Sequence, residues 1–197
     1  MHLFKTLSVV AIMALATPGF AQTTETEGET ETPDPLALDM GKSDVEVGGV
    51  YVESEFKDWE IRCIKAENGV DPCQLYQLLK DPNGNAIAEI NIFPVGGEGQ
   101  PAAGATVITP LETLLTQQLG MSVDGGAVRK YPFSWCSQIG CYSRIGFSEA
   151  DITAFKRGIS ANLIIVPVVA ADQTLALKVS LSGFTDGYEA LKTRNAE

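Results

Sequence analysis

From Val50 onward, apolar and polar positions alternate with the period of extended chain. Across residues 58–65, Trp59, Ile61 and Cys63 fall on one side and Glu60 and Arg62 on the other, the two-residue repeat of a half-buried strand. Cys73, Leu75 and Leu79 share a face in the next run. Asp81-Pro82-Asn83-Gly84 is a strong turn signal, and residues 87–95 resume an extended run. Residues 96–104 read as Gly/Pro loop. Residues 106–108 and 121–123 read as short strands, and Asp124-Gly125-Gly126 as a hairpin turn. Residues 131–136 and 141–147 pattern as a strand pair. Residues 163–169 are continuously apolar, which predicts a central strand buried on both faces. Leu175, Leu177, Val179 and Leu181 alternate with polar or small residues and predict a strand with one buried face.

Two helices interrupt this texture. Ser148 with Asp151 three residues on has the form of a capping box. Ile152, Phe155 and Ile159 give an apolar stripe, Lys156 and Arg157 suit the C-terminal dipole, and Gly158 is placed to supply a left-handed cap. A second helix is predicted over residues 185–192. Nine or ten short strands with two short helices predict a mainly β protein. The form is an Ig-like or antiparallel β-sandwich. Helices do not alternate with strands, so a βαβ sheet is not expected.

Composition changes this picture mainly at the N-terminus. Of 197 residues, 14 are Lys or Arg and 25 are Asp or Glu, for a net charge of −11. Residues 1–21 read as a secretory signal: Lys5, a short apolar run, a Thr17-Pro18-Gly19 break, and small residues before Gln22. The apolar run is too short to cross a bilayer core of roughly 30 Å. Residues 22–49 hold eight acidic residues against Lys42 and no aromatic residue, which predicts an acidic disordered linker. Residues 50–197 are then the sandwich domain. Beyond the linker, twelve basic and seventeen acidic side chains leave it only mildly acidic. That balance argues against nucleic-acid binding, and neither a transmembrane segment in the mature chain nor a cofactor is expected.

The four cysteines, Cys63, Cys73, Cys136 and Cys141, all lie beyond the signal. An even count in an exported chain predicts two disulfides, for which three connectivities exist. Cys63–Cys73 and Cys136–Cys141 are favoured, since the first ties neighbouring strands and the second closes a tight turn containing Gly140. The Cys-x4-Cys spacing differs from the Cys-x-x-Cys of thiol oxidoreductases, and the overall spacing is poor for a zinc ribbon.

The only histidine is His2, within the segment a signal peptidase would remove. Without it, Ser-His-Asp and Cys-His nucleophilic sites and histidine general bases are unavailable. No catalytic or metal site is therefore expected. Three weaker patterns stand. Asp58 and Glu60 flank Trp59, with Glu53 and Glu55 nearby, the minimal requirement of a carboxylate pair. Asp81, Asn83 and Asn85 resemble part of a calcium loop. Arg129 and Lys130 beside Tyr131 are candidate contacts for an anionic glycan or phospholipid.

The landmarks also follow a familiar order. Asp58-Trp59-Glu60-Ile61-Arg62-Cys63 precedes Cys73, then Leu111 to Leu115, then Gly120-Met121-Ser122-Val123-Asp124. Phe133-Ser134-Trp135-Cys136, Gly140-Cys141, the Lys156-Arg157-Gly158 helix end and Val179-Ser180-Leu181-Ser182-Gly183-Phe184 complete the series. Over residues 55–193 the chain resembles the invasion-associated locus B (IalB) family of Gram-negative bacteria. The resemblance implies a secreted or periplasmic β-sandwich with local disulfides and no catalytic residues to carry over. The acidic leader is not part of it. The expectation is therefore a non-enzymatic envelope protein that binds a protein or envelope component, in an oligomeric state the sequence does not reveal. A host-facing adhesion or invasion factor and a carboxylate-dependent envelope glycan hydrolase are the alternatives.

Overall fold

The computed structural model describes residues 45–95, 97 and 99–195. The signal and most of the acidic segment lie outside these, as do Gly96 and Glu98 of the Gly-rich loop. The described chain forms eleven strands and two α-helices: β1 Val50–Phe56, β2 Trp59–Ile64, β3 Cys73–Lys80, β4 Ala86–Pro94, β5 Ala103–Thr109, β6 Leu119–Val123, β7 Arg129–Tyr131, β8 Trp135–Cys136, β9 Cys141–Phe147, α1 Glu149–Arg157, β10 Ser160–Ile165, β11 Leu175–Ser180 and α2 Phe184–Arg194. Every pairing is antiparallel. A seven-stranded sheet runs β1-β2-β3-β4-β5-β9-β8, and a four-stranded sheet runs β11-β10-β6-β7. The ladder reaches back beyond β1, because Gly48 donates to the Lys65 carbonyl and Lys65 to that of Gly49.

The alternation seen in the sequence is the buried face of each sheet. Trp59, Ile61, Leu75, Ile90 and Val107 of the large sheet share one core with Leu119, Leu163, Leu177 and Val179 of the small one. The helices close that core with a chain of rings. Phe184 of α2 lies 5.5 Å from Trp59 and 5.4 Å from Phe155 of α1, which is 5.0 Å from Phe147 of β9. Such edge-on contacts add to the burial of apolar area. One polar residue, Gln77, sits among these side chains, 6% exposed. Its amide donates to the Asp58 and Ser180 carbonyls and accepts from the Ser180 N–H. All its strong groups are satisfied, so burial is tolerated. This bonding joins β3 to the end of β11.

Several expectations are corrected. Residues 163–169 are not one strand. β10 ends at Ile165, its residues alternate between buried and half-buried, and Val168 and Val169 are exposed on a 3-10 turn. Pro167, which has no N–H for a ladder, lies at the break. Residues 131–136 are not a single strand paired with 141–147. Tyr131 ends β7 in the small sheet, Trp135 begins β8 in the large one, and the chain crosses between sheets at Pro132. Strand β5 starts at Ala103, inside the anticipated loop. Ile159 is 80% exposed rather than part of the α1 stripe. Gly158 is extended, at φ −77° and ψ 165°, instead of left-handed. Its small size is needed for closeness, since a Cβ there would lie 2.8 Å from Leu181 Cδ1. The capping box at Ser148 and Asp151 is formed as read. The Asp124–Gly125 turn closes the β6–β7 hairpin, both residues having positive φ.

Candidate binding face

Both disulfides join cysteines that are direct cross-strand partners, Cys63 with Cys73 on β2–β3 and Cys136 with Cys141 on β8–β9. Each fixes a register as well as a loop. Chain-entropy arithmetic assigns roughly 2–3 kcal/mol to each such closure.

Both helices and the small sheet pack on one side of the seven-stranded sheet. Its outward side has no second layer among the described residues. The register places two rows of side chains across it. Glu60, Tyr76, Asn91, Thr106 and Arg144 are successive partners from β2 to β9. Leu78, Glu89, Ile108, Tyr142 and Trp135 form the neighbouring row from β3 to β8. Planar groups lie flat here. The Arg62 guanidinium sits 3.3 Å from the Tyr76 ring centre and donates to Glu60 at 2.7 Å. Phe93 lies over Gly104, where a Cβ would come within 2.6 Å of the ring carbon Cζ. Trp135 stacks on Tyr142 at 4.9 Å with 13° between planes. Tyr76 and Asn91 are consequently buried although no second layer of the described chain covers them.

The end of the fold nearest Trp135 is also apolar. Leu111, Leu115, Ile139, Val168 and Val169 are exposed on three loops. The Thr113–Pro167 bridge and the Val168 N–H bond to the Glu112 carbonyl bring two of these loops together. Exposed apolar side chains gathered at one end of a fold in this way mark interaction sites.

A cleft of about 550 Å³ lies beside Cys63–Cys73, lined by Arg62, Asp71, Phe93 and Arg194 among others. Its charged groups are internally matched. Arg194 Nε donates to both Glu53 carboxylate oxygens, and its guanidinium also reaches the Asp71 carbonyl. The Ala66 backbone N–H, the Tyr51 hydroxyl and Lys65 hold the Asp71 carboxyl below the usual carboxylate range, against the cost of its burial. Glu53, Cys63 and Cys73 lie close enough to share a metal ion. Both sulfurs are oxidised, however, so no thiolate is available to ligate one.

The structure separates the remaining candidates. Asp58 accepts from the Ser180 hydroxyl at 2.6 Å, while Glu60 pairs with Arg62 on the outward face. Asp81 accepts from the Asn83 and Asn85 backbone N–H groups and from the Asn85 amide, which makes its carboxylate the lock of a turn. Lys130 donates to the Gln117 carbonyl, and Arg129 pairs with Asp151 at 2.7 Å. An anion contact at Arg129 and Lys130 therefore competes with these bonds.

Burial opposes ionisation of Asp151, but the Ser148 hydroxyl and backbone N–H and the Arg129 guanidinium outweigh it and hold the carboxyl low. A folded value below the unfolded one contributes stability above the ordinary carboxylate range. That stability is lost as pH falls through the folded value. Asp151→Asn should therefore flatten the acid side of the stability curve, read from urea midpoints between about pH 7 and pH 3. An unchanged slope would contradict this account of Asp151.

Fold and cysteines together define a disulfide-braced antiparallel β-sandwich with one open sheet face. The family model of the invasion associated locus B (IalB) protein matches residues 59–192, and the chain belongs to that family. The crystal structure of invasion associated protein B from Bartonella henselae is similar, with a TM-score of 0.61 and 20% identity over 73% of this chain and 96% of that one. At that identity the likeness supports the fold. No curated protein matches the chain.

Proposed function

We propose that the chain is exported to the Gram-negative cell envelope and acts there as a non-enzymatic binding domain that docks its partner on the open face of the large sheet. The carrying observation is that face: seven strands without a covering layer among the described residues, ending in a half-exposed tryptophan beside exposed apolar loops. Export is supported by the signal-like residues 1–21 and by two disulfides, a bond type that persists in oxidising compartments. No helix of the described residues is long and apolar enough to cross a membrane. A non-enzymatic role is supported by the carboxyls. Those that depart clearly from ordinary values, Asp71, Asp81, Asp151 and Glu189, are all held low, whereas a general acid needs a raised value.

Cell fractionation with intact-mass measurement tests export. The expected product is found in the periplasmic extract, begins at Gln22 and weighs four hydrogens less than the reduced chain. Full-length protein confined to the cytoplasm with four free thiols would overturn the reading.

A further inference from the structure

On the open face Glu60 of β2 is paired with Arg62, Lys80 stands at the end of β3, Glu89 on β4 and Arg144 on β9. Arg144 is exposed and forms no ion pair among the described residues. Its row partner Thr106 is uncharged, and the residue beyond that is Asn91. An unpaired cation at this position favours an anionic group there by local charge complementarity.

Arg144 follows Tyr142 by two positions, so the two side chains leave the same face about 7 Å apart. Tyr142 carries the stacked ring of Trp135, which is 48% exposed. Leaving that much indole in water forgoes burial energy, and the bare surface is flat and apolar. The β8 strand that presents it is only two residues long. It is held to β9 by the Cys136–Cys141 disulfide and by the Ser134 N–H bond to the Tyr142 carbonyl. The second disulfide thus fixes the tryptophan in place.

The geometry points to an anionic glycan as the ligand of this end of the face. The C–H side of a sugar ring packs on the indole of Trp135, and its carboxylate or phosphate pairs with Arg144. Dispersion and the hydrophobic effect hold the ring, and the guanidinium fork suits either anion. The Thr106 hydroxyl, next in the row, is available to a ring hydroxyl. A single-stranded nucleic acid would need the same stacking plus a basic groove, and among the described residues this face offers only Arg144 and the distant Lys80 of β3 as exposed cations without an ion pair. The assignment rests on the open face being the docking surface and names the class of ligand it takes.

Calorimetric titration of the mature protein with hexagalacturonate, a phosphorylated pentamannose and neutral cellohexaose tests it. At least one anionic sugar should bind ten times more tightly than cellohexaose, and which one binds identifies the anion. Trp135→Ala and Arg144→Gln should each weaken that binding at least tenfold. Lys178→Gln, an exposed lysine on the small sheet, should leave it unchanged. Circular dichroism and urea midpoints close to those of the parent show that the variants remain folded. Failure of both anionic sugars to bind, or equal binding by the parent and Trp135→Ala, overturns the assignment. If no sugar binds but a crosslinker on this face captures an envelope protein, the glycan assignment falls and the docking face stands. If the face captures nothing either, both fall.

Discussion

Gly183→Ala is expected to lower stability by on the order of 3 kcal/mol, among the larger effects of a single methyl group. Gly183 has φ 87° and ψ −8° in the turn between β11 and α2, and the Phe184 N–H bonds back to the Leu181 carbonyl. This is the third position of a type II turn, where φ must be positive. A side chain there costs roughly 1–2 kcal/mol from conformation alone. The larger part is contact. A Cβ would overlap the Phe56 carbonyl oxygen and lie 2.6 Å from its carbonyl carbon. Those are backbone atoms at the end of β1 and cannot rotate away. The turn that starts α2 would have to lift from the large sheet, taking Phe184 and Tyr188 with it. Urea unfolding measures the loss, and a shift below about 1 kcal/mol would show that the turn is not seated as described.

The second large effect is expected at Trp59, where substitution by alanine should cost about 3–5 kcal/mol. The ring is fully buried, edge-on to Phe184, and its Nε1 donates to the Ser180 carbonyl at 2.8 Å. Gln77 donates to the same carbonyl. Trp59 therefore stands where β2, β3, β11 and α2 meet, and its removal leaves both a cavity and a weakened polar clasp. Trp59→Phe should recover most of the packing and lose the hydrogen bond, so its cost should fall between parent and alanine. Trp135→Phe removes the other tryptophan and leaves Trp59 as a fluorescent reporter of the core. A loss under about 1 kcal/mol in Trp59→Ala would contradict the central position given to this residue.

What could be read in the sequence was whatever depends on one segment at a time. The alternation of Trp59, Ile61 and Cys63 marks β2 because one strand shows its buried face without reference to its neighbours. The same holds for Leu177 and Val179 in β11 and for the Ser148–Asp151 box of α1. The two disulfides were legible because short loops between extended segments leave few other pairings.

Segments whose fate depends on a partner were misread. Residues 163–169 are uniformly apolar, yet the small sheet needs only those up to Ile165, and Val168 and Val169 are left in solvent. Residues 131–136 look continuous, yet each end is claimed by a different sheet. The open face was invisible for the same reason. Its rows exist only once five registers are set. One clue was present. If Cys136 and Cys141 are direct partners, the next pair outward is Trp135 with Tyr142, and Arg144 falls on the same side. That inference needs the paired geometry in addition to the bond. Arg129 and Lys130 drew attention as adjacent cations, but each is already bonded within the fold. The exposed Arg144, separated from other basic residues in sequence, gave no local signal.

The open face of the large sheet is the surface on which the proposed binding depends. A photo-crosslinking residue placed at Leu78, exposed on the open face, and, separately, at Lys178 on the small sheet, followed by illumination of intact cells, tests it most directly. The Leu78 position should yield a discrete envelope adduct and the Lys178 position should not. Equal adducts from both positions, or adducts from Lys178 alone, would contradict it.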